Sequence, residues 1–286
     1  MKVLVTGAGG QLGYDVCRQL AEKKIPCYGA GRQDFSLTDS EQMARFFAEY
    51  RPEAVIHCGA YTAVDKAEDE PELCYAVNGR GTEELAKLCR QYGAKLLYIS
   101  TDYVFAGEGE AFASPEDKKA PLNVYGRSKL AGEEAVQRIL PQHFIVRISW
   151  VFGINGKNFI KTMLRLAETH DQLKVVADQY GSPTYTADLA RLLIEMIQTE
   201  KYGVYHATNE GVCSWAELAA EVFRQEELPV EVVPVSSAEY PVKAVRPKNS
   251  RLSKKCLDEA GFARLPGWQD AVRRYLQEIH AQQAKG

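Results

Sequence analysis

The feature that most constrains this chain stands at its start. Residues Lys2–Thr6 (KVLVT) form a short β-branched apolar run that passes directly into Gly7-Ala-Gly-Gly10-Gln-Leu-Gly13. An unbroken apolar run of this length suits a strand covered on both faces, as in a parallel sheet. The glycines at 7, 10 and 13 give GxxGxxG, followed by a helix pattern with Leu12, Val16 and Leu20 on one face. Glycine there permits the tight turn, the approach of a pyrophosphate to the backbone, and close packing of helix on strand. The helix N-terminus then offers free N–H groups and the positive end of its dipole to an anion. A plain strand-to-helix turn also uses glycine, so the dinucleotide reading depends on the rest of the chain.

The next hundred residues alternate between the two periodicities. The sequence predicts strands at 26–30, 54–58, 95–100 and 144–149, and helices at 12–23, 40–50, 71–92 and 128–139. That order predicts an α/β fold with a Rossmann-like doubly wound parallel sheet. Beyond residue 150 the pattern is less regular. Helices are predicted at 158–168, 187–198, 215–224 and 270–282, and a strand at 230–235 whose proline assigns it to an edge. The stretch 241–253 reads as a loop carrying Lys243, Arg246, Lys248 and Arg251. We expect residues 1–150 to form the dinucleotide-binding domain, with segments near 175–190 and 212–235 returning to it. Residues 151–286 are expected to form mainly a smaller mixed α/β substrate-binding lobe.

Composition removes other classes. Lys plus Arg is 35 against 38 for Asp plus Glu, a net charge of −3, so there is no basic surplus for a nucleic-acid polymer. The seven cysteines form no CxxC pair and are odd in number, which argues against a disulfide framework or a zinc site. None of the five histidines stands at metal-ligand spacing, so no metal site is predicted. No stretch reaches the ~18 apolar residues of a bilayer span, and the N-terminus lacks a signal-peptide core. A cytoplasmic protein without a membrane partner is expected.

Three further features carry chemistry. The second strand ends at Gly29-Ala-Gly31-Arg32, where an NAD enzyme usually places an acid for the ribose. Arg32 would instead pair with a 2′-phosphate, favouring NADPH, while Asp34 would serve the ribose of NADH. Tyr125-Gly-Arg-Ser-Lys129 is a YxxxK pattern on a helical face. An ammonium one turn from a phenol lowers its pKa and makes Tyr125 a usable proton donor and acceptor. The fourth predicted strand runs out into Ser100-Thr101-Asp102-Tyr103, at the carboxyl edge where open α/β sheets bind ligands. Each feature alone is ordinary; their order and spacing are specific.

The segments TGAGGQLG at 6–13, AYTAVDKAE at 60–68, ISTDYVF at 99–105 and NVYGRSKLAGE at 123–133 resemble those of the extended short-chain dehydrogenase/reductases. With RISWVFG at 147–153, GKNFIKTMLRLA at 156–167, VADQYGSPTY at 176–185 and RPKNSRL at 246–252, the chain is similar to the dTDP-4-dehydrorhamnose reductases over nearly its whole length. The resemblance implies NAD(P)H-dependent reduction of the C4 keto group of dTDP-4-dehydro-β-L-rhamnose to dTDP-β-L-rhamnose. It implies Thr101, Tyr125 and Lys129 as the catalytic trio. Tyr125 would protonate the C4 oxygen, Thr101 would hold it, and Lys129 would lower the phenol pKa and hold the nicotinamide ribose. Cofactor positions carried over are Gly7, Gly10, Gln11, Leu12, Gly13, Arg32, Asp34, Phe35, Ser36, Cys58, Gly59, Ala60, Tyr61 and Ser100, besides Tyr125 and Lys129. Substrate positions are Thr101, Asp102, Tyr103, Trp150 and Asn158, and in the cationic loop Arg246, with nearby Lys248, is the candidate to neutralise the diphosphate. Asn78 matches an asparagine of the long helix.

One departure concerns Phe35-Ser36-Leu37-Thr38-Asp39, where the family often has Leu-Asp-Ile-Thr-Asp, so Ser36 replaces an acid that meets the adenine. Some relatives are described as magnesium-linked dimers. Asp15 and Asp188 lie in comparable regions without establishing a site, and the chain is expected to be a monomer or homodimer. Two alternatives stay open. One is a non-catalytic nucleotide-binding regulatory subunit resembling that of methionine adenosyltransferase. The other is a nucleotide-sugar epimerase or dehydratase.

Overall fold

The computed structural model describes residues 1–240 and 242–284. Pro241, the first residue of the expected loop, and Lys285 and Gly286, the end of the expected lobe, lie outside the described residues. The first half comprises β1 (Val3–Thr6), α1 (Gln11–Glu22), β2 (Cys27–Ala30), α2 (Ser40–Tyr50), β3 (Ala54–His57), α3 (Val64–Ala67), α4 (Pro71–Tyr75), α5 (Thr82–Tyr92), β4 (Lys95–Thr101), α6 (Val124–Ile139) and β5 (His143–Ile148). The second comprises β6 (Val151–Phe152), α7 (Phe159–Ala167), β7 (Gln172–Val176), β8 (Tyr180–Gly181), β9 (Thr184–Tyr185), α8 (Thr186–Ile197), β10 (Gly203–His206), β11 (Cys213–Ser214), α9 (Trp215–Gln225), β12 (Glu231–Val235), β13 (Asn249–Ser250), α10 (Lys255–Ala260) and α11 (Trp268–Gln283).

The main sheet has six parallel strands in the order β10-β5-β4-β3-β1-β2. The chain starts inside it, steps outward to β2, then crosses to β3 on the other side of β1. The order therefore reverses between β1 and β3, and the crevice at their carboxyl ends is the place where such sheets bind ligands. Both strands are buried along their whole length, because helices cover both faces. On one face Leu12, Val16 and Leu20 of α1 pack with Leu189, Leu193 and Ile197 of α8. On the other, Met43 and Phe47 of α2, Leu85 of α5 and Val136 of α6 close over Leu4 and Val55. Met43 and Phe47 are fully buried, each contributing about 1.5–3 kcal/mol by transfer from water.

Four departures from the sequence reading bear on the site. Residues 71–92 are not one helix: a π-helical stretch, Ala76–Gly81, separates α4 from α5. Such wide turns concentrate at functional sites, and this one faces Asn78 inward. Helix α6 starts at Val124 rather than 128, because the Asn123 side chain accepts the Gly126 N–H at 2.8 Å. Tyr125 thus lies in the first turn, one turn from Lys129. The segment returning to the sheet is 186–206, which supplies α8 and the unforeseen strand β10. The stretch 212–235, expected to return with it, joins a second core instead: Leu218, Val222 and Phe223 of α9 meet Met163 of α7 and Val272 and Leu276 of α11. Among the described residues, strand β12 pairs with β7 alone, in parallel, which leaves room for Pro234 opposite Val175.

Candidate active site

The glycine turn is shaped by collisions. Gly7 has φ +67°, and a Cβ there would stand 2.7 Å from the Gly59 Cα. One on Gly13 would stand 2.2 Å from the Gly7 carbonyl oxygen. The end of β3 and the start of α1 therefore press on the turn, and no side chain fits between. Gly10 precedes α1 without a side-chain cap, whereas Asp39, Asn123, Asn158 and Ser214 cap α2, α6, α7 and α9. The first-turn N–H groups of α1 are left for another acceptor. This uncapped, side-chain-free cradle fits a dinucleotide diphosphate. Leu12 is buried in the core, so it and Gly13 present only backbone.

The far side of the cradle is equally fixed. The Gly59 N–H donates to Thr6 Oγ1 (3.2 Å) and the Cys58 N–H to the Thr6 carbonyl (3.3 Å). The Asn78 amide accepts from the Tyr61 N–H (2.8 Å) and donates to the Tyr61 carbonyl (3.0 Å) and Ser128 Oγ (3.0 Å). It thereby locks residues 58–61, with half-buried Ala60 among them, against α6. The Tyr61 hydroxyl is committed to Glu70 (2.8 Å). Burial pushes the Cys58 thiol up, so it stays neutral.

After β2, the four expected cofactor residues separate. Arg32 is exposed and makes no hydrogen bond or ion pair among the described residues. Asp34 is occupied, accepting from the Tyr28 hydroxyl and the Gly31 N–H, both at 2.7 Å. Phe35 is interior, packed on Phe46 with centroids 5.1 Å apart, because α2 folds over it. Ser36 turns its hydroxyl to Thr38 (2.8 Å) and donates its N–H to Gln42 (3.0 Å). The structure thus assigns Asp34, Phe35 and Ser36 to the loop itself and leaves Arg32 facing solvent.

Beside the cradle, β4 delivers Ser100 and Thr101 at its carboxyl end. Ser100 Oγ is buried without a hydrogen-bond partner among the described residues. Thr101 Oγ1 donates to Asp102 (2.9 Å), accepts from the Tyr103 N–H (3.2 Å) and faces the Tyr125 phenol. Asp102 is only 4% exposed and also accepts from the Ser250 hydroxyl, so both of its oxygens are engaged and it orients Thr101. Burial pushes its carboxyl up to about 6, against those hydrogen bonds. The Tyr103 and Tyr125 rings meet edge to face at 5.6 Å.

Lys129 corrects the electrostatic expectation. Its Nζ donates to the Ile99 carbonyl (2.7 Å) and lies 4.1 Å over the Tyr98 ring. Burial pulls its pKa down to about 7, with Glu133 opposing. The Tyr125 phenol is pushed up from its ordinary value, by burial first and by nearby Asp102 second. Desolvation outweighs the i, i+4 effect of the lysine. Lys129 does, however, bear on His57 and Cys58, which places it against the cradle. One turn beyond it, Glu133 receives two hydrogen bonds from Arg147 of β5 (2.8 and 2.7 Å), both residues 1% exposed. Helix α6 is therefore pinned to the sheet; removing one partner would strand a buried charge at a cost of about 3–5 kcal/mol.

The opposite wall comes from the second half. Trp150 has φ +50° and stacks on Trp215 with centroids 3.7 Å apart and planes 12° from parallel. A bulky residue in this region costs about 1–3 kcal/mol, so the surrounding contacts must hold it there. The Trp215 ring N–H donates to Gln179 (3.2 Å). Arg246 donates to Asp65 of α3 (2.7 Å) and faces the Tyr103 hydroxyl, and the Asn123 amide holds the Val245 carbonyl (2.8 Å). Arg246 thus meets Tyr103 where the two walls join. Asn158 does not present a free amide to substrate: Lys161 N–H, Gln11, Gly153 and Tyr275 occupy it. The sequence reading missed Trp215, Ser250, Gln179 and the pairing role of Asp65, although Asp65 lies in the AYTAVDKAE segment and Gln179 in VADQYGSPTY.

Magnesium is not supported by the side chains present. Asp15 is held by Arg18 (2.7 Å) and Thr186 (2.5 Å), Asp188 by Arg274 (2.6 Å) and Asn209 (2.8 Å). Among the described residues no group of three or more His, Cys, Asp or Glu could hold a metal ion. Guanidinium groups neutralise these acids instead.

A switch-point cradle, with a threonine on the neighbouring strand and a Tyr/Lys pair on the neighbouring helix, is the architecture of the extended short-chain dehydrogenase/reductases. The RmlD substrate binding domain family matches residues 1–281. The spore coat polysaccharide biosynthesis protein SpsK of Bacillus subtilis is 41% identical over 277 residues, 97% of each chain. The dTDP-4-dehydrorhamnose reductase of Streptomyces griseus is 42% identical, covering 94% of this chain and 91% of its own. A crystal structure of dTDP-4-dehydrorhamnose reductase from Bacillus anthracis in complex with NADP superposes with a TM-score of 0.95 at 42% identity, covering 97% of this chain and 100% of that one. The chain belongs to the RmlD family, that of the dTDP-4-dehydrorhamnose reductases.

Proposed function

We propose that this protein reduces the C4 keto group of dTDP-4-dehydro-β-L-rhamnose to the alcohol of dTDP-β-L-rhamnose, consuming one NADPH and one proton per turnover. The observation that carries the reading is the convergence of Thr101, Tyr125 and Lys129 at the carboxyl edge of β4, against the Gly7–Gly59 cradle. The first-turn N–H groups of α1 hold the cofactor diphosphate, and Arg32 takes the 2′-phosphate. When bound, the reduced nicotinamide supplies the hydride. Tyr125, kept protonated at neutral pH by burial, donates its phenolic proton to the carbonyl oxygen as charge develops there. Thr101, its single hydrogen engaged by Asp102, turns its oxygen to the Tyr125 phenol and positions that group beside the carbonyl. Lys129, poised near neutrality, stabilises the phenolate left behind and steadies the nicotinamide ribose.

On the opposite wall, Trp150 on its Trp215 support offers an apolar face to the deoxysugar, and Arg246 exchanges Asp65 for the substrate diphosphate. All of these residues belong to one chain, which supports a site that a monomer or homodimer could carry. A small-molecule partner suits the net charge of −3 better than nucleic acid. NADPH and nucleotide sugars are cytoplasmic solutes, which supports a cytoplasmic setting. No described helix is long and apolar enough to cross a membrane.

The experiment mixes purified protein with dTDP-4-dehydro-β-L-rhamnose and follows NADPH absorbance beside product formation. One NADPH oxidised per sugar reduced is expected. Sugar conversion without net NADPH loss would indicate an epimerase or dehydratase; binding without conversion would indicate a regulatory subunit.

A further inference from the structure

Side-chain hydrogen bonds from Asn155 and Asn158 join the second half of the molecule to the phosphate turn. Asn158 caps α7, its Oδ1 accepting the Lys161 N–H at 3.0 Å. A helix cap must present oxygen to that N–H, so the other end of the amide is the NH₂. Asn158 Nδ2 then lies within donating distance of three acceptors, which share its two hydrogens: Gln11 Oε1 (3.0 Å), the Gly153 carbonyl (2.9 Å) and the Tyr275 hydroxyl (2.8 Å). The Tyr275 hydrogen goes to the Gly153 carbonyl (3.1 Å), which leaves its oxygen an acceptor. These bonds set the orientation of Gln11. Its oxygen must face Asn158, because the reverse would oppose two NH₂ groups. The Gln11 NH₂ has no hydrogen-bond acceptor among the described residues, and Gln11 is the first residue of α1, on the uncapped turn.

Two further contacts place the same loop across the turn. Asn155 Nδ2 donates to the Gly9 carbonyl (2.9 Å), and a Cβ on Gly156 would stand 3.6 Å from Gln11 Cγ. Beside Asn158 a cleft of about 360 Å³ is lined by Lys157, Lys161, Thr162 and Arg165, so this flank favours an anion.

We infer that Asn158 is a positioning residue for the dinucleotide: it turns the Gln11 amide so that its NH₂ adds side-chain donors to the backbone N–H groups of the α1 turn. The inference rests on the reading that this turn takes the NADPH diphosphate. It assigns Asn158 to the cofactor side of the reaction, through Gln11, and away from the sugar.

The test is a double-mutant cycle on NADPH affinity, read by nicotinamide fluorescence, with thermal unfolding in parallel. Asn158→Asp keeps the cap oxygen, removes the donor, and draws the Gln11 NH₂ toward itself. It is expected to raise the NADPH Kd roughly tenfold, the effect of one lost charge-assisted hydrogen bond. The KM for NADPH should rise with it, while the KM for the keto sugar stays within twofold. Gln11→Ala should weaken NADPH about as much, and adding Asn158→Asp to it should cost less than threefold more. Asn158→Ser, a capping residue without charge or reach, should raise the Kd a few-fold with the melting temperature retained. Two outcomes overturn the inference: an unchanged Kd in both Asn158 variants, or an Asn158→Asp effect that adds fully to Gln11→Ala, which would make it charge repulsion. A wild-type protein that binds neither NADPH nor NADH would instead overturn the functional reading.

Discussion

The two walls of the cleft are built on different principles. The sheet-edge wall consists of buried groups whose positions are over-determined: Asp102 orients Thr101, Arg147 pins α6 through Glu133, and Asn78 locks the 58–61 loop. The facing wall, from α3 and the 242–250 segment, is held by partly exposed ion pairs, Arg246 with Asp65, Lys243 with Asp69 and Lys248 with Asp178. Exposed pairs are worth only about 0–1 kcal/mol each and weaken with salt. Proton transfer needs the fixed geometry of the first wall. Admission and release of a charged substrate need cations that exchange partners readily, as on the second.

Substitutions on the two walls should therefore differ in size and kind. Lys129→Met strikes the fixed wall and should lower kcat by about 10²–10⁴-fold, checked by steady-state NADPH oxidation. The same variant tests the electrostatics. Lys129 has a folded pKa of about 7, below its ordinary 10.5, so between those values the unfolded chain binds more protons. Stability conferred at this site therefore rises with pH from about 7 upward and is withheld below 7, with a slope of up to about 1.4 kcal/mol per pH unit. In Lys129→Met that rise should vanish. Urea melts of both proteins between pH 6.5 and 8.5 show it as a difference, which cancels the other groups that titrate there.

On the exchangeable wall, Arg246→Gln should raise the KM for the keto sugar roughly 10–100-fold through loss of charge-assisted bonds, and lower kcat far less. A kcat loss as large as that of Lys129→Met would break the division between the walls. The smallest change is expected at the cofactor's outer end. Arg32→Ser should raise the KM for NADPH about tenfold and leave that for NADH nearly unchanged, sharpening which cation meets the 2′-phosphate.

The fixed wall was the more legible in sequence, for physical reasons. Gly7 and Gly13 occupy places where a Cβ collides with backbone, so the chain has to declare them. Tyr125 and Lys129 are one helical turn apart, a spacing readable without a fold. What the lysine does there was not readable, since desolvation depends on how α6 is buried against β4. How Phe35 and Ser36 are oriented was not readable, since matched position says nothing of it; α2 draws one inward, and Thr38 and Gln42 engage the other. The exchangeable wall depends on long-range meetings. Arg246 and Asp65 are 181 residues apart, and Trp150 finds Trp215 only once the second core has formed. The two-residue strands β6, β8, β9, β11 and β13 have no local pattern to betray them.

The central claim is that the Tyr125 phenol supplies the proton in carbonyl reduction. Tyr125→Phe removes one oxygen from a ring that stays packed against Tyr103, so folding should survive, as a melting temperature within a few degrees of wild type would verify. The decisive measurement is single-turnover reduction of dTDP-4-dehydro-β-L-rhamnose by this variant with NADPH bound at saturation. A proton-donating Tyr125 predicts a rate lower by about 10²–10⁴-fold with NADPH affinity retained. A rate within threefold of wild type would contradict it.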